Sequence, residues 1–265
     1  DVSSHKFLGF VDMLDIVYFV VDMYFKGDNA AEISNDTLYA LYRKFGDESI
    51  KCLIDASHKN PVCEVRKSSP IFETISIFQR GIHRVAVIDE KGGIINIVSQ
   101  TDIIRFLVTK VGQFSDIFTK TARELVIGTI KPQTVHKDEQ AIHAFKKLYE
   151  QKRSAFAVVD DEGKLVGNLS ASDLKGAVTT DEDEGANPFG ALLLPVYDFL
   201  CQGGMSHFKE GTCTSDSALY FILLRILSLR VHRLWVIQDD KPVGIISLTD
   251  IMRAMISQKQ QERKQ

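Results

Sequence analysis

Residues 81–89 read GIHRVAVID and, after a glycine turn, residues 95–104 read INIVSQTDII. The same pattern returns twice further along the chain. The second copy reads RSAFAVVD at 153–160 and LVGNLSASDL at 165–174, and the third reads VHRLWVI at 231–237 and VGIISLTDIM at 243–252. Internal repeats of this kind decide the architecture before other features are weighed.

Each copy predicts the same unit of helix, strand, turn, strand and helix. An apolar helix such as Ile71–Phe78 comes first, and two β-branched runs on either side of a polar turn follow it. The second run ends in Ser-x-Thr/Ser-Asp at the start of another helix. In the first complete copy we expect Thr101 to be the N-cap of that helix and Asp102 to lie in its first turn, where the helix dipole favours a carboxylate. The predicted apolar face of this helix consists of Ile103, Ile104, Leu107, Val108 and Val111.

The start of the chain matches the end of a fourth copy. Residues 7–11 take the place of the second strand, and Asp15 takes the place of Asp102. We therefore expect the natural protein to be longer, with the first half of this repeat upstream of Asp1. The predicted parts are the end of repeat one at 1–25, a linker at 26–49, repeat two at 50–112, repeat three at 113–178, an acidic loop at 179–188 and repeat four at 189–258.

Composition narrows the class of protein. The 265 residues are 45% hydrophobic and carry a formal net charge of -3, which argues against a nucleic-acid partner. The four cysteines have no metal-binding spacing, so we expect a reduced protein of the cytoplasm, with the nucleus as a second compartment and no structural zinc. They are Cys52, Cys63, Cys201 and Cys213.

Two apolar stretches are predicted to be buried rather than to span a membrane. Residues 7–25 are interrupted by aspartates and are expected to form a strand that runs into a core helix, and residues 218–229 are too few to cross a bilayer. Residues 218–229 and 192–200 together are more apolar than two small modules need. We therefore expect part of this surface to meet a neighbouring module, a partner chain or a second copy in a homodimer.

The two ends of the unit suggest a nucleotide site. A carboxylate at a helix start, beside hydroxyl-bearing residues, suits the vicinal diol of a ribose. His-Arg at a strand start suits phosphate, because a guanidinium binds two oxygens at once. In a single copy, a helix cap and a half-exposed histidine would explain the same residues. Repetition of the pattern favours ligand binding.

This pattern resembles the cystathionine-β-synthase (CBS) domain, whose copies pair into Bateman modules. The strand starts occur in the order His-Arg, Ser-Ala, His-Arg, which resembles the gamma subunits of AMP-activated and sucrose-non-fermenting protein kinases. The resemblance covers almost the whole chain. It implies an α/β (α+β) fold of four CBS repeats that form two Bateman modules packed as a disc, with the first repeat incomplete at the N-terminus.

The resemblance also implies the residues that bind adenine nucleotides. The ribose residues would be Asp15, Asp102, Asp173 and Asp250, supported by Thr101, Ser172, Thr249, Ser99, Ser170 and Ser247. The phosphate residues would be His83, Arg84, His232 and Arg233, with Ser154 and Ala155 at the third strand start. Animal gamma subunits have Arg at the second-repeat Asp position, so Asp102 departs from them and would allow a fourth site. Asp15 has no Ser or Thr beside it, and its site has the least support.

The sequence contains no phosphate loop, nucleophile elbow or zinc-protease motif. We therefore expect no enzyme and no cofactor. The predicted function is a gamma-type subunit that senses AMP, ADP and ATP, with alpha-type catalytic and beta-type subunits as partners. Two alternatives remain, a stand-alone four-CBS regulator of a phosphatase or stress pathway, and an interaction scaffold in which the aspartates are only helix caps.

Overall fold

The computed structural model describes residues 7–26, 34–113, 115–175, 187, 189–202 and 211–262. Its helices are α1 (Met13–Lys26), α2 (Asn35–Gly46), α3 (Ile71–Phe78), α4 (Gln100–Thr109), α5 (Ser115–Thr119), α6 (Ala141–Glu150), α7 (Val196–Gln202), α8 (Leu219–Leu229) and α9 (Leu248–Glu262). Its strands are β1 (Glu64–Arg66), β2 (Arg84–Ile88), β3 (Ile94–Ser99), β4 (Thr134–His136), β5 (Ala155–Val159), β6 (Leu165–Ser170), β7 (Thr212–Cys213), β8 (Arg233–Gln238) and β9 (Lys241–Ser247). Short 3-10 turns lie at Ile50–Leu53, Val111–Gln113, Ala171–Asp173 and Gly190–Leu193.

The strands form three mixed sheets of three strands, one for each complete repeat. In each sheet the first two strands are parallel and are joined through a helix, α3, α6 or α8. The second and third strands form an antiparallel hairpin. The predicted α/β fold of repeated units is confirmed.

A register shift recurs in all three hairpins. It falls between Val87 and Ile88 in β2, between Val158 and Val159 in β5, and between Val236 and Ile237 in β8. Such a bulge places one extra residue in the opposite strand and increases the local twist. Beyond the shift, the pairing is uninterrupted to the end of the hairpin where the next helical turn begins.

The chain divides into two compact units. Unit 1 comprises Asp1–Lys59 and Gln133–Phe208, and unit 2 comprises Asn60–Pro132 and Lys209–Gln265. Unit 1 therefore combines elements of the first and third predicted repeats, and unit 2 combines those of the second and fourth. The repeat boundaries and the disc-like packing of two modules stay predictions.

In unit 1 the core lies between α1, α6 and α7. Val17 and Val21 of α1 are almost completely buried and belong to the same apolar cluster as Phe145 of α6. Phe145 makes an edge-to-face contact with Phe199 of α7, with ring centroids 5.7 Å apart. Full burial of a side chain of this size stabilises the fold by about 1.5–3 kcal/mol. The predicted core helix that follows residues 7–11 is thus confirmed as α1.

In unit 2 the core lies between α3, α4, α8 and α9. Phe78, Leu107 and Ile251 are buried in one apolar cluster with the inner face of α8. The helix predicted at 218–229 is confirmed, but its burial is one-sided. Phe221 is 68% exposed and Leu224 is 37% exposed, because an eleven-residue helix turns part of its surface away from the core. The expected homodimer or partner contact stays a prediction.

The structure differs from the sequence prediction at residues 7–12 and in the linker, and most of the acidic loop is not described. Residues 7–12 form no strand, because no described strand pairs with them, and the Phe10 carbonyl instead accepts a hydrogen bond from the Asp55 N–H at 3.2 Å. The segment predicted as a linker contains α2, whose Leu38 and Leu41 are buried. Residues 179–186 and 188 of the predicted acidic loop lie outside the described residues.

Within the described chain, no helix combines the length and apolarity that crossing a membrane would require.

Candidate functional site

In the three complete repeats, one oxygen of the helix-start aspartate is held by the serine three residues before it. Oδ2 of Asp102 accepts hydrogen bonds from the N–H of Ser99 at 2.9 Å and from its hydroxyl at 2.6 Å. Oδ2 of Asp250 accepts the same pair from Ser247, at 2.9 and 2.6 Å. Asp173 accepts them from Ser170 at 2.6 and 3.0 Å. The repeated motif is therefore a capping box, as its local sequence allows.

The expectation that Thr101 caps α4 is wrong. Ser99 is the N-cap, and its hydroxyl oxygen accepts a hydrogen bond from the N–H of Asp102 at 3.3 Å. Thr101 instead lies within the first turn of the helix. In a capping box, the hydroxyl of the N-cap serine accepts the N–H of the aspartate three residues later, and the aspartate carboxylate accepts the N–H of the serine. A threonine one residue before the aspartate is too close to form this reciprocal pair.

The second oxygen of two aspartates contacts an arginine one turn along the helix. Oδ1 of Asp102 accepts a hydrogen bond from Arg105 at 3.0 Å, and Oδ1 of Asp250 accepts one from Arg253 at 3.1 Å. Partial burial raises the pKa of Asp102, but the Ser99 hydrogen bonds and the Arg105 charge outweigh burial and hold that pKa below its ordinary value. Asp102 is therefore an anion at neutral pH.

The first repeat uses a different cap. Asp12 stands where the other repeats have serine, and its N–H donates to Oδ2 of Asp15 at 2.8 Å. Oδ1 of Asp15 accepts two further bonds from Ser57, one from its N–H at 2.9 Å and one from its hydroxyl at 2.6 Å. Asp15 is 0% exposed. The four predicted ribose aspartates are thus equivalent in sequence position but not in environment.

The predicted phosphate residues lie next to the predicted ribose residues in the second and fourth repeats. Arg84 pairs directly with Ser99 across the hairpin, and Arg233 pairs with Ser247. Side chains at directly opposed positions of an antiparallel pair share one face of the sheet. The backbone reinforces this arrangement, since the carbonyls of His83 and His232 accept hydrogen bonds at 3.1 Å from the first residue of the following helix.

The third repeat has the same geometry without the cation. Ala155 pairs with Ser170, and the Ser154 carbonyl accepts a hydrogen bond from Ala171 at 3.1 Å. Ala155 is buried, whereas Ser172 is exposed on the turn that carries Asp173. The hairpin therefore brings the start of its first strand next to the helix-start serine and aspartate in all three complete repeats.

Gln100 is a further residue of this region that sequence reasoning missed. Its buried side-chain amide donates to the carbonyl of Ile82 at 2.9 Å and to Oγ1 of Thr249 at 3.0 Å. It thereby links the helix starts of the second and fourth repeats within unit 2. The available signal was the contrast with Ala171 and Leu248, which are apolar at the equivalent position.

A cavity of about 430 Å³ opens beside Asp250 in unit 2. Its wall combines β9 and α9 with residues 120–130, which lie before β4 in the predicted third repeat and were not among the predicted site residues. This segment contributes Lys120, Glu124, Leu125, Val126, Ile127, Gly128, Thr129 and Ile130, and β9 and α9 contribute Ile245, Asp250, Arg253, Ala254, Ser257, Gln258 and Gln261.

Two glycines allow this segment to lie against the hairpin. A Cβ on Gly244 would overlap the carbonyl oxygen of Gly128, and a Cβ on Gly128 would come within 2.7 Å of Val236. Gly128 also has a φ of 75°, a backbone angle that residues with a side chain rarely adopt. The close approach of the two backbones forms one wall of the cavity.

The charges around the cavity are balanced. Lys120 and Arg253 are matched by Glu124 and Asp250, and the Lys120 ammonium donates to Oε1 of Gln258 at 2.8 Å. Among the described residues of the wall, the predicted phosphate residues do not appear. The cavity therefore suits an uncharged, partly apolar group beside the Asp250 carboxylate more than it suits a phosphate. Within the described part of the chain, His, Cys, Asp and Glu form no cluster that could hold a metal ion.

A family model described as the CBS domain matches residues 55–109, 122–180 and 212–257. These matches cover more than half of the chain. The chain belongs to the CBS-domain family. The three CBS matches contain Asp102, Asp173 and Asp250, and they begin after Asp15.

Relatives of this CBS protein are known in yeasts. It is 26% identical over 212 residues to Protein SDS23 of Candida albicans, which covers 77% of this chain and 34% of that protein. It is 25% identical over 238 residues to Protein SDS23 of Saccharomyces cerevisiae, with 82% of this chain and 45% of that protein covered. The chain therefore spans less than half the length of these relatives.

Solved structures share the fold of the CBS repeats. Protein MJ1225 of Methanocaldococcus jannaschii, described as a proposed archaeal homologue of the AMPK gamma subunit, has a TM-score of 0.69 at 16% identity, with 95% of this chain and 84% of that chain covered. An uncharacterised conserved protein of Pyrococcus horikoshii has a TM-score of 0.57 at 21% identity, with 74% and 80% covered. This CBS protein thus resembles the gamma-type proteins in fold.

Proposed function

We propose that this chain is a regulatory protein that binds adenine nucleotides through its CBS repeats and catalyses no reaction itself. The observation that carries the proposal is the position of Asp250 on the wall of the cavity of about 430 Å³. Sites for small molecules commonly have volumes of 300–1,000 Å³, with apolar walls and a few oriented polar groups. Ile127, Ile130 and Ile245 supply the apolar part of this wall.

The hydrogen-bond capacity of Asp250 supports a ribose at this position. A carboxylate has about four acceptor positions. Oδ2 of Asp250 uses two of them for Ser247, and Oδ1 uses one for Arg253. One ribose hydroxyl therefore binds Oδ1 directly, and a complete diol binds if Arg253 turns away. The Arg253 side chain is 55% exposed, and it also donates to the Gln79 carbonyl at 3.0 Å, so turning away would break that bond as well.

The phosphate groups would extend along the hairpin. Arg233 lies directly opposite Ser247, which holds the Asp250 carboxylate. A nucleotide with its ribose at Asp250 would thus reach the start of β8 with its phosphates, where His232 and Arg233 provide donors. The balanced charge of the cavity itself fits this division, because the base and sugar are uncharged. The choice of adenine rests on the resemblance to gamma subunits.

The finer proposal is that AMP, ADP and ATP compete for these positions and regulate a protein kinase. Ligands that differ in phosphate number would contact the strand-start cations differently, and only such a difference in affinity between two states transmits a signal. The partners would be alpha-type catalytic and beta-type subunits, in the cytoplasm and the nucleus. The fold likeness to MJ1225 supports this role.

A second candidate is a stand-alone regulator of a phosphatase or a stress pathway. It keeps the same nucleotide site and lacks the kinase partners. The observation in its favour is that the yeast relatives, of which 34% and 45% are covered, carry the name Protein SDS23 and not that of a kinase subunit. Co-purification with alpha-type and beta-type subunits separates the two candidates, since the stand-alone regulator would elute without them.

Calorimetric titration of the whole chain with AMP tests nucleotide binding. We expect saturable heat with AMP or ADP and weak signals with GMP and adenosine, and S-adenosylmethionine is titrated beside them. Asp250→Asn should lose one bound nucleotide or at least tenfold in affinity at that site, because Asn still accepts the Ser247 bonds but carries no charge. Asp240→Asn in the exposed turn of the same repeat is the matched control, and its φ of 61° suits Asn. Equal titrations for the parent chain and Asp250→Asn would contradict the proposal, and the scaffold interpretation would then be preferred.

A further inference from the structure

Asp15 and Ser57 form a closed pair inside unit 1. Asp15 is 0% exposed and Ser57 is 4% exposed. Both donors of Ser57, its N–H and its hydroxyl, lie within 2.9 Å of the same carboxylate oxygen, Oδ1. Oδ2 is held by the N–H of Asp12. Both oxygens of this carboxylate are therefore engaged by the chain itself.

The geometry of Ser57 resembles that of a bound ligand. Two neighbouring donors converge on one carboxylate, which is what a vicinal diol would offer to the same group. At the equivalent point of the second and fourth repeats, Oδ1 instead accepts one bond from Arg105 or Arg253. Those arginine side chains are 65% and 55% exposed. Both arginines lie at the surface, whereas Ser57 is held in the interior.

The backbone around Ser57 is arranged to hold it there. Asp55 donates its N–H to the Phe10 carbonyl at 3.2 Å, and its own carbonyl accepts the N–H of His58 at 2.8 Å. Asp55 and His58 have φ values of 49° and 54°. These are residue types that adopt the left-handed region more readily than most. The two left-handed residues turn the chain on either side of Ser57, so its burial is a feature of the local fold.

We propose that Ser57 takes the place of a ligand at Asp15, so that the first-repeat carboxylate anchors residues 54–58 and binds no ribose. This inference rests on the proposed function and refines it. The carboxylates available to nucleotides are then Asp102, Asp173 and Asp250. The aspartate pattern of the sequence would overstate the number of sites by one.

A double-mutant cycle on the whole chain, without any nucleotide, tests the pair directly. Asp15→Asn and Ser57→Ala should each lower the melting temperature, by roughly 4–10 °C for the buried charge-assisted contact. The double variant should lose clearly less than the two single losses added together, because both changes break one interaction. Ser49→Ala, on an exposed cap with a 3.4 Å bond, is the matched control and should change little. Additive losses would overturn the inference.

Counting bound AMP by equilibrium dialysis tests the consequence. Ser57→Ala and Asp15→Asn should bind as many AMP molecules as the parent chain, and Asp250→Asn should bind one fewer. Loss of one AMP in Asp15→Asn, with the other sites unchanged, would overturn the inference. If the parent chain binds no AMP, the proposed function fails, and the ligand-free cycle still decides whether Ser57 and Asp15 act as a pair. Should Asp15→Asn fail to fold, Ser57→Ala supplies both measurements: a lower melting temperature with an unchanged number of bound AMP molecules supports the inference, and loss of one bound AMP would overturn it.

Discussion

Gln100 donates a hydrogen bond to Oγ1 of Thr249 at 3.0 Å, and this bond joins two helix starts that are 149 residues apart in the chain. The same amide nitrogen reaches the carbonyls of Ile82 and Phe78, at 2.9 and 3.3 Å. One buried side chain thus ties α3, the turn before β2 and α9 together beside two of the predicted ribose residues. Its effect on stability should be measurable without any ligand.

Replacing Gln100 by Leu should destabilise unit 2 by about 1–3 kcal/mol, because the buried carbonyl of Ile82 would lose this donor while the side-chain volume hardly changes. Thr249→Val removes one acceptor and keeps the shape, and should cost about 0.5–1.5 kcal/mol. Urea unfolding measures both. If the Leu variant is as stable as the parent chain, the amide contributes nothing to the packing of the two repeats.

Replacing Gly244 by Ala should destabilise the fold by about 1–3 kcal/mol and weaken AMP binding at Asp250. The new methyl would overlap the carbonyl oxygen of Gly128 and push the cavity segment away from β9. Gly211→Ala is the control, since nothing lies within 4 Å of its added carbon. Thermal melting and AMP titration of both variants give the comparison, and equal behaviour would mean that the two backbones are not in close contact.

The low pKa of Asp102 should make part of the stability dependent on pH. Burial raises this pKa, but the Ser99 hydrogen bonds and the Arg105 charge lower it by more than burial raises it. The pKa of Asp102 in the folded chain is therefore below its ordinary value. Folding therefore favours the charged form, and the resulting stability is present above the unfolded pKa and lost as the pH falls through the folded pKa.

Carbon-13 NMR titration of the carboxyl group measures this directly. The pKa of Asp102 in the parent chain should lie below its ordinary value, and Ser99→Ala should raise it, because the hydroxyl bond to the charged form disappears while the backbone N–H bond stays. In melting experiments between pH 3 and 6, the advantage of the parent over Asp102→Asn should shrink towards the acidic end. A parent pKa at or above the ordinary value would contradict this assignment.

The cysteines should differ in reactivity. Burial raises the pKa of the Cys213 thiol to about 11, despite the nearby Arg225, so little thiolate is present at pH 8. Cys201 is exposed on α7. Iodoacetamide at pH 8, followed by mass spectrometry, should modify Cys201 at least tenfold faster than Cys213. Comparable rates in the folded chain would show that Cys213 is accessible, whereas equal rates are expected only after denaturation.

Substitutions of the predicted phosphate residues and of the predicted ribose residues should have different effects on nucleotide binding. Arg233→Ala should weaken nucleotide binding about ten- to a hundredfold, because a charge-assisted hydrogen bond contributes roughly 1.5–3 kcal/mol. If phosphates share one centre, the loss extends to more than one site, whereas Asp173→Ala removes at most one. Arg43→Ala, on the exposed surface of α2, is the control. Calorimetry separates the number of sites from their affinity, and unchanged affinity in Arg233→Ala would remove Arg233 from the site.

Local patterns of the sequence predicted the fold well where they specify local structure. The repeated alternation of apolar helix and paired β-branched runs predicted α3, β2, β3 and α4, because each depends on residues close in the chain. The N-cap was misplaced by two residues, since Ser99 and Thr101 are both acceptable caps in sequence. Only the backbone geometry shows which hydroxyl reaches the N–H of Asp102.

The parts of the site that were missed depend on distant contacts. The Ser57 contact joins residues 42 positions apart, and the cavity wall near Gly128 lies more than a hundred positions before Asp250. No local periodicity records such pairs. For the same reason, the first-repeat strand at 7–11 was predicted wrongly, because a short apolar run becomes a strand only where another strand pairs with it.

The recurrent register shift in the hairpins separates two ends of one element that have different tasks. In all three, the end beside the capping serine pairs without interruption, and the shift lies towards the turn. The turns also differ, from the glycine-containing turn after Asp89 to the tight pair Asp239 and Asp240. Each bulge therefore lies between a turn that varies among the repeats and the regular pairing that ends at the capping serine. These hairpin tips are accordingly suitable points for inserting a reporter peptide or an affinity tag while the end that carries the capping serine keeps its geometry.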